Sequence, residues 1–243
     1  MNKLIKPMKI AGMDCQLYLP ESYENSMEFY PIIYVNGEIP IEDILAELKK
    51  QNSSPEFLVL SVKPNNWNDD FTPWSASAFR AGEESPRGNA DKYIEVLTKQ
   101  IKPFMDEKFR TKKEPENTIL IGYSLGGLTA LYAMYKTNVF GKIGSLSGSL
   151  WYDGWIPFME NMIPETEFCR IYLSLGRKES KSRNARMSKV ADCTEHAAEI
   201  LKSQFGAENI FFEWNEGGHF TDIPKRFAKA IAWLMGDGGN PWY

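Results

Sequence analysis

A serine stands between glycines in the stretch TILIGYSLGGLTALYAMY, residues 118–135, where an apolar strand pattern passes into a helical one. Residues 122–126 match G-x-S-x-G, a sharp strand-to-helix turn that exposes the serine hydroxyl above a sheet. In such a turn the N–H of Leu125, at the start of the helix, can face a negative charge developing on a substrate oxygen. The motif predicts that Ser124 is a nucleophile for acyl transfer and Leu125 an oxyanion donor; a merely structural tight turn is the alternative.

A serine nucleophile needs a base, and the chain has two histidines. His196 lies within ADCTEHAAEIL, a helical pattern in which a surface or groove position is typical. His219 lies in EWNEGGHF, after the last strand pattern and before the last helical one, and the glycines before it allow a tight loop. Such loops follow the carboxyl ends of strands, where α/β active sites gather. We therefore predict that His219 is the base.

The third residue of a triad orients the histidine and should lie between serine and histidine in this chain order. Glu179 follows the strand pattern at 170–175 and is the predicted acid. Asp192 and Glu195 are rivals, although both fall in a helical pattern, where acids are usually solvated. A working Ser–His dyad without an acid is the remaining alternative.

A second oxyanion donor is expected in the loop after an early strand. The sequence YPIIYVNGEIP supplies Asn36, Gly37 and Glu38 directly after the strand pattern at 30–35. Gly37 can bring its backbone N–H close to a ligand with no side chain in the way. We therefore predict Gly37 as the second donor, with a plain turn as the alternative.

Short apolar runs alternate with helical patterns along the chain, which predicts a mostly parallel central sheet with helices on both faces. Residues 1–243 are expected to form one domain, and the long irregular segment 64–88 is expected to be functional. Helical spacing recurs through 93–105 and 227–235. The predicted strands are 14–19, 30–35, 57–62, 118–123, 142–146, 170–175 and 210–214.

Composition excludes several classes of function. The net charge of −4 gives no reason to expect nucleic acid or an anionic membrane as partner. Three scattered cysteines are too few for a disulfide framework or a zinc site. We see no apolar run long enough for a membrane helix and no signal peptide, so a cytoplasmic protein acting on a small molecule is expected.

Several motifs in order resemble the putative-esterase family of α/β-hydrolases: PIIYVNGE, NDDFTPW, ILIGYSLGGLTALYAMY, GSLSGSLWYD and GGHF, within about residues 8–235. The resemblance implies an α/β-hydrolase fold and ester hydrolysis without a cofactor. By position, the family's nucleophile falls on Ser124, its base on His219, and its oxyanion amides on Gly37 and Leu125. SGSLW looks most like the siderophore-esterase branch, although Trp67 stands roughly where that branch often carries arginine.

Aromatic residues in the segment 64–88 and after SGS suggest a planar acyl or sugar group in the substrate, with Trp67 and Trp151 as contacts. A small core under a long loop is the alternative. The basic segment 177–189, beginning with Arg177, would attract an anionic substrate, unless it is simply solvated. The resulting hypothesis is a serine esterase for a siderophore-like trilactone or phenolic ester. The alternatives are a carbohydrate-linked acetyl or feruloyl esterase and a non-catalytic binding domain.

Overall fold

The computed structural model describes residues 4–50 and 56–236, and one eight-stranded sheet runs through its centre. In space the strands follow the order β1-β2-β4-β3-β5-β6-β7-β8. The β1–β2 and β2–β4 pairs are antiparallel, and all other pairs are parallel. The strands are β1 (Ile5–Ile10), β2 (Met13–Tyr18), β3 (Ile32–Asn36), β4 (Leu58–Val62), β5 (Thr118–Tyr123), β6 (Lys142–Leu146), β7 (Arg170–Gly176) and β8 (Ile210–Asn215).

The seven predicted strands are all present, with bounds within two residues of those expected. The prediction missed β1, whose sequence IKPMKI mixes lysines and a proline with apolar residues. Such a composition suits an edge strand, because one side of the strand makes no ladder hydrogen bonds. The two-residue turn at Ala11 and Gly12 joins it to β2, and both residues have positive φ, as hairpin turns require.

Helices cover both faces of the sheet, which confirms the predicted fold class. The buried side chains of α1 and α8 pack on one face, and those of α3 to α7 pack on the other. Across the described residues, none of these helices is long and apolar enough to cross a membrane. The helices are α1 (Ile41–Lys50), α2 (Trp67–Asp70), α3 (Ala90–Val96), α4 (Lys102–Lys108), α5 (Leu125–Ala133), α6 (Trp155–Asn161), α7 (Val190–Phe205) and α8 (Ile223–Met235), with a π-helical turn, Leu97–Ile101, between α3 and α4.

The parallel strands set the position of the candidate site. The carboxyl ends of β3, β5, β6, β7 and β8 lie at the same edge of the sheet. The loops that leave this edge carry Gly37, Ser124, Ser147, Glu179 and His219, respectively. Residues far apart in sequence therefore meet above one edge, as is typical of α/β proteins.

Candidate active site

The turn between β5 and α5 has the geometry that its sequence predicts. Ser124 has φ 57° and ψ −122°, a strained conformation for a residue with a side chain. Its carbonyl accepts hydrogen bonds from the N–H groups of Gly127 and Leu128, so α5 begins immediately after it. A Cβ atom at Gly122 would lie 2.2 Å from the carbonyl oxygen of Gly126. The first glycine of the motif is therefore required by the close approach of strand and helix.

Substituting alanine for Gly122 is expected to destabilise the fold through this steric conflict, by about 1–3 kcal/mol. In a chain of this size that corresponds to a fall in Tm of roughly 2–12 °C, measurable by thermal unfolding followed by circular dichroism. Gly218→Ala is the matched control, because a Cβ atom there meets no atom within 4 Å. A Gly122→Ala protein that melts with the wild type would show that the turn relaxes without cost.

His219 lies in the loop between β8 and α8, beside a carboxylate. Its Nδ1 is 2.7 Å from Oε2 of Glu179, and the His219 side chain is 32% exposed whereas that of Glu179 is 3% exposed. An ionised carboxylate can only accept hydrogen bonds, so Nδ1 carries the proton and Nε2 keeps its lone pair. In this tautomer Nε2 carries no proton, so its lone pair is available to act as a base.

Glu179 is buried but held in its charged form. Burial is the largest single influence on its pKa and opposes ionisation, but hydrogen bonds from His219, Ser147 and the Gly176 N–H, with the electrostatic interaction with His219, together hold the pKa below its ordinary value. Oε1 accepts from the Ser147 hydroxyl at 2.6 Å and from the Gly176 N–H at 2.7 Å. The rival acids Asp192 and Glu195 are exposed on α7. The structure thus brings Glu179, and neither rival, to the histidine.

Ser124 and His219 line the same two cavities. Among the described residues, the hydrogen-bond partner of the Ser124 hydroxyl is the Ser149 hydroxyl, with 3.4 Å between the two oxygens. Ser149 belongs to the SGS motif after β6, which the sequence analysis did not assign a role. Hydrogen bonds between catalytic groups often tighten only when substrate binds. Among the described residues no hydrogen bond joins Ser124 to His219, and the two residues are brought together only as lining of the same cavities.

The predicted oxyanion donors differ in availability. The N–H of Leu125 is at the first position of α5, where no partner exists within the helix. The N–H of Gly37 instead donates to the Val62 carbonyl at 2.9 Å. The assignment of Gly37 is therefore corrected, because its only backbone donor is already used. The next residue, Glu38, forms no N–H hydrogen bond to any described residue and is the candidate donor in this loop.

Asn36 holds the loop that carries Glu38 against the turn between β5 and α5 that carries Ser124. The side-chain amide of Asn36 donates to the Gly126 carbonyl at 2.9 Å, and its carbonyl accepts from the Tyr93 hydroxyl at 2.9 Å. A buried amide with both ends bonded has one orientation, so the two donor-bearing segments have a defined separation. Sequence patterns at 36–38 show a turn but do not show which N–H is left free.

Two cavities flank Ser124 and His219, and Phe220, which is 84% exposed, lines both. The smaller cavity, about 330 Å³, includes Trp151, the SGS serines and Arg80. The larger, about 740 Å³, includes Trp67, Ile39, Pro40, Ile223 and Phe227. Trp67 and Trp151 therefore lie where substrate contacts are predicted, whereas Trp74 packs against Trp155 and Phe158 in the small core that was the alternative.

Arg177 is the predicted substrate contact that the structure does not place at the cleft. It forms an ion pair with Glu216 at 3.2 Å, lies over the ring of Trp214, and lines neither cavity beside Ser124. Arg186, in the same basic segment, binds Asp153 and the carbonyls of Ser77 and Ala78. This arginine therefore anchors the segment 64–88. The cation at the cleft is Arg80, which no motif indicated.

Similarity to known proteins extends over most of the chain. The family model described as "Putative esterase" matches residues 11–230. The protein YbbA of Bacillus subtilis, described as uncharacterized, is 28% identical over 228 residues, which are 90% of this chain and 91% of YbbA. An endo-1,4-beta-xylanase/feruloyl esterase of Xylanibacter ruminicola is 26% identical over 215 residues, 82% of this chain and 27% of that protein.

Among solved structures, the siderophore hydrolase EstA from Aspergillus nidulans has a similar fold, with a TM-score of 0.79. The two chains are 17% identical, and the match covers 98% of this chain and 96% of EstA. Within residues 4–50 and 56–236, no group of three or more His, Cys, Asp or Glu side chains is arranged to hold a metal ion.

Proposed function

The chain belongs to the esterase family whose model it matches, and we propose that it is a serine carboxylic-ester hydrolase that acts through an acyl-enzyme. The observation that supports this most directly is the hydrogen bond of 2.7 Å between His219 Nδ1 and the buried carboxylate of Glu179, at the cleft that Ser124 lines. A histidine so oriented presents Nε2 as a base toward a serine on a strained turn.

In the proposed reaction the Ser124 Oγ attacks the ester carbonyl carbon while its proton passes to Nε2 of His219. The carbonyl oxygen becomes negatively charged and faces the N–H groups of Leu125 and Glu38. The imidazolium, stabilised by Glu179, then protonates the departing alkoxide, and the alcohol leaves. Water gives a proton to Nε2 and attacks the acyl-serine, which releases the carboxylic acid and restores the Ser124 hydroxyl.

We propose a siderophore-like trilactone or a phenolic ester as the substrate. The smaller cavity offers the Trp151 ring and the Arg80 cation, which suit a planar phenolate or catecholate group. EstA, whose fold this chain shares, is described as a siderophore hydrolase. The relative described as a xylanase and feruloyl esterase favours a second candidate, a carbohydrate-linked feruloyl or acetyl ester.

A fluorophosphonate probe tests the proposed mechanism. We expect stoichiometric labelling of the wild-type protein at Ser124, located by peptide mass spectrometry, and none in Ser124→Ala. Folded wild-type protein that is not labelled would favour a non-catalytic binding domain on the same scaffold.

The substrate is tested by comparing kcat/KM across ferric and iron-free trilactones, methyl ferulate, acetylated xylan and p-nitrophenyl acetate. The trilactones are expected to give the highest values, because they can use the cation and the aromatic ring of the smaller cavity as well as the reactive centre. Values no higher than that of p-nitrophenyl acetate would exclude the siderophore assignment. A higher value for acetylated xylan than for the trilactones and methyl ferulate would favour the second candidate.

A further inference from the structure

Arg226 is a buried cation in the first turns of α8, beneath the cleft. Its side chain is 1% exposed, and it belongs to none of the sequence motifs described above. A buried charge is costly unless other groups compensate it through good hydrogen-bond geometry. The position of its partners therefore shows what the arginine holds in place.

The partners of Arg226 lie in separate segments of the site. Its Nη1, which carries two protons, lies within hydrogen-bond distance of three acceptors: the Glu179 carboxylate at 3.1 Å, the Ser147 hydroxyl at 2.6 Å and the Tyr123 hydroxyl at 3.0 Å. Its Nη2 donates to the Gly218 carbonyl at 2.9 Å. One guanidinium thus joins the carboxyl end of β5 and the loops that follow β6, β7 and β8.

Three of these partners are next to, or are themselves, members of the proposed triad, and the fourth, Ser147, donates a hydrogen bond to Glu179. Tyr123 precedes the nucleophile, and its hydroxyl also donates to the backbone carbonyl of His219. Gly218 precedes the base, and Glu179 is the acid. The planar fork of a guanidinium fixes both distance and direction between its acceptors, which a single ammonium cannot do.

We propose that Arg226 is a positioning residue for the esterase reaction: it holds the Glu179 carboxylate, and through that carboxylate the His219 ring, in register with Ser124. This inference rests on the proposed function. Arg226 acts through Glu179, and it touches no substrate atom in the proposed reaction. Its loss should lower kcat, where alignment matters, and leave KM nearly unchanged.

The test compares Arg226→Met with Lys229→Met, measured with p-nitrophenyl acetate. Lys229 is a partly buried cation one turn further along α8 that pairs with Glu213, away from the triad. We expect kcat to fall by about a hundredfold in Arg226→Met and by less than about threefold in Lys229→Met. Circular dichroism and Tm show whether each protein is folded, so that kcat refers to folded enzyme.

A double variant separates positioning from general structural support. If Arg226 acts through Glu179, its removal should matter little once the carboxylate is gone. We therefore expect Glu179→Gln/Arg226→Met to be as slow as Glu179→Gln alone, within about threefold, because residues that act as a unit are non-additive. Losses that multiply in the double variant would contradict the proposal.

Arg226→Lys keeps the charge but not the fork, and it decides the question if Arg226→Met does not fold. The positioning role is supported if Arg226→Lys lowers kcat in the wild-type background but not in the Glu179→Gln background. Full activity of Arg226→Lys with unchanged Tm overturns the role. Wild-type protein that neither hydrolyses esters nor reacts with fluorophosphonate would instead overturn the proposed function, and with it this role for Arg226. An active wild type with an equally active, folded Arg226→Met would overturn the role of Arg226 alone.

Discussion

Ser124→Ala is expected to remove turnover of p-nitrophenyl esters almost completely, lowering kcat by about four orders of magnitude or more. The change deletes the oxygen atom that would form the acyl-enzyme. Without this intermediate, water would have to attack the ester directly, which is a slower reaction. The fold should persist, because the Ser124 hydroxyl makes one long hydrogen bond, to Ser149 at 3.4 Å. The measurement is kcat for the purified variant, with Tm recorded alongside.

Ser145→Ala is the matched control for this experiment. Ser145 is a buried serine on β6 whose hydroxyl has no hydrogen-bond partner among the described residues, so its loss should leave kcat unchanged. The proposed base can be tested with a similar pair of variants. His219→Ala should be inactive, whereas His196→Ala should be fully active, because His196 is exposed on α7. Turnover by folded Ser124→Ala at a tenth of the wild-type rate or more would contradict the nucleophile assignment.

Local sequence was sufficient to locate the proposed triad because each member lies at the end of a recognisable strand pattern. The motif at 122–126 is local, and the close contact that requires its first glycine lies within the motif, between Gly122 and Gly126. Glu179 and His219 follow β7 and β8, which are adjacent parallel strands. Once the order of the strands is inferred, their carboxyl ends must be close. The catalytic roles of these residues stay predictions.

Other features depend on contacts that sequence does not encode locally. The N–H of Gly37 is used because the Val62 carbonyl lies 2.9 Å away on a strand distant in sequence. Arg177 turns toward Glu216 and Trp214, although its position in a basic segment suggested the cleft. Arg226 lies in an ordinary amphipathic helical pattern, where an arginine is usually expected on the solvated face. Each of these assignments requires knowledge of which segments pack together.

Glu179→Gln is expected to lower kcat by at least about a hundredfold near neutral pH, approaching four orders of magnitude, with KM little changed. The Oε1 side of Glu179 faces three donors, namely Ser147, the Gly176 N–H and Arg226. A glutamine must therefore place its carbonyl oxygen there and its NH2 group against His219 Nδ1, which would then accept a hydrogen bond. The ring would carry its proton on Nε2, the wrong tautomer for a base.

Steady-state kinetics of the folded Glu179→Gln protein test this prediction, with Asp192→Asn, at an exposed position on α7, as the control. Near-normal kcat would instead show that His219 works with Ser124 as a dyad.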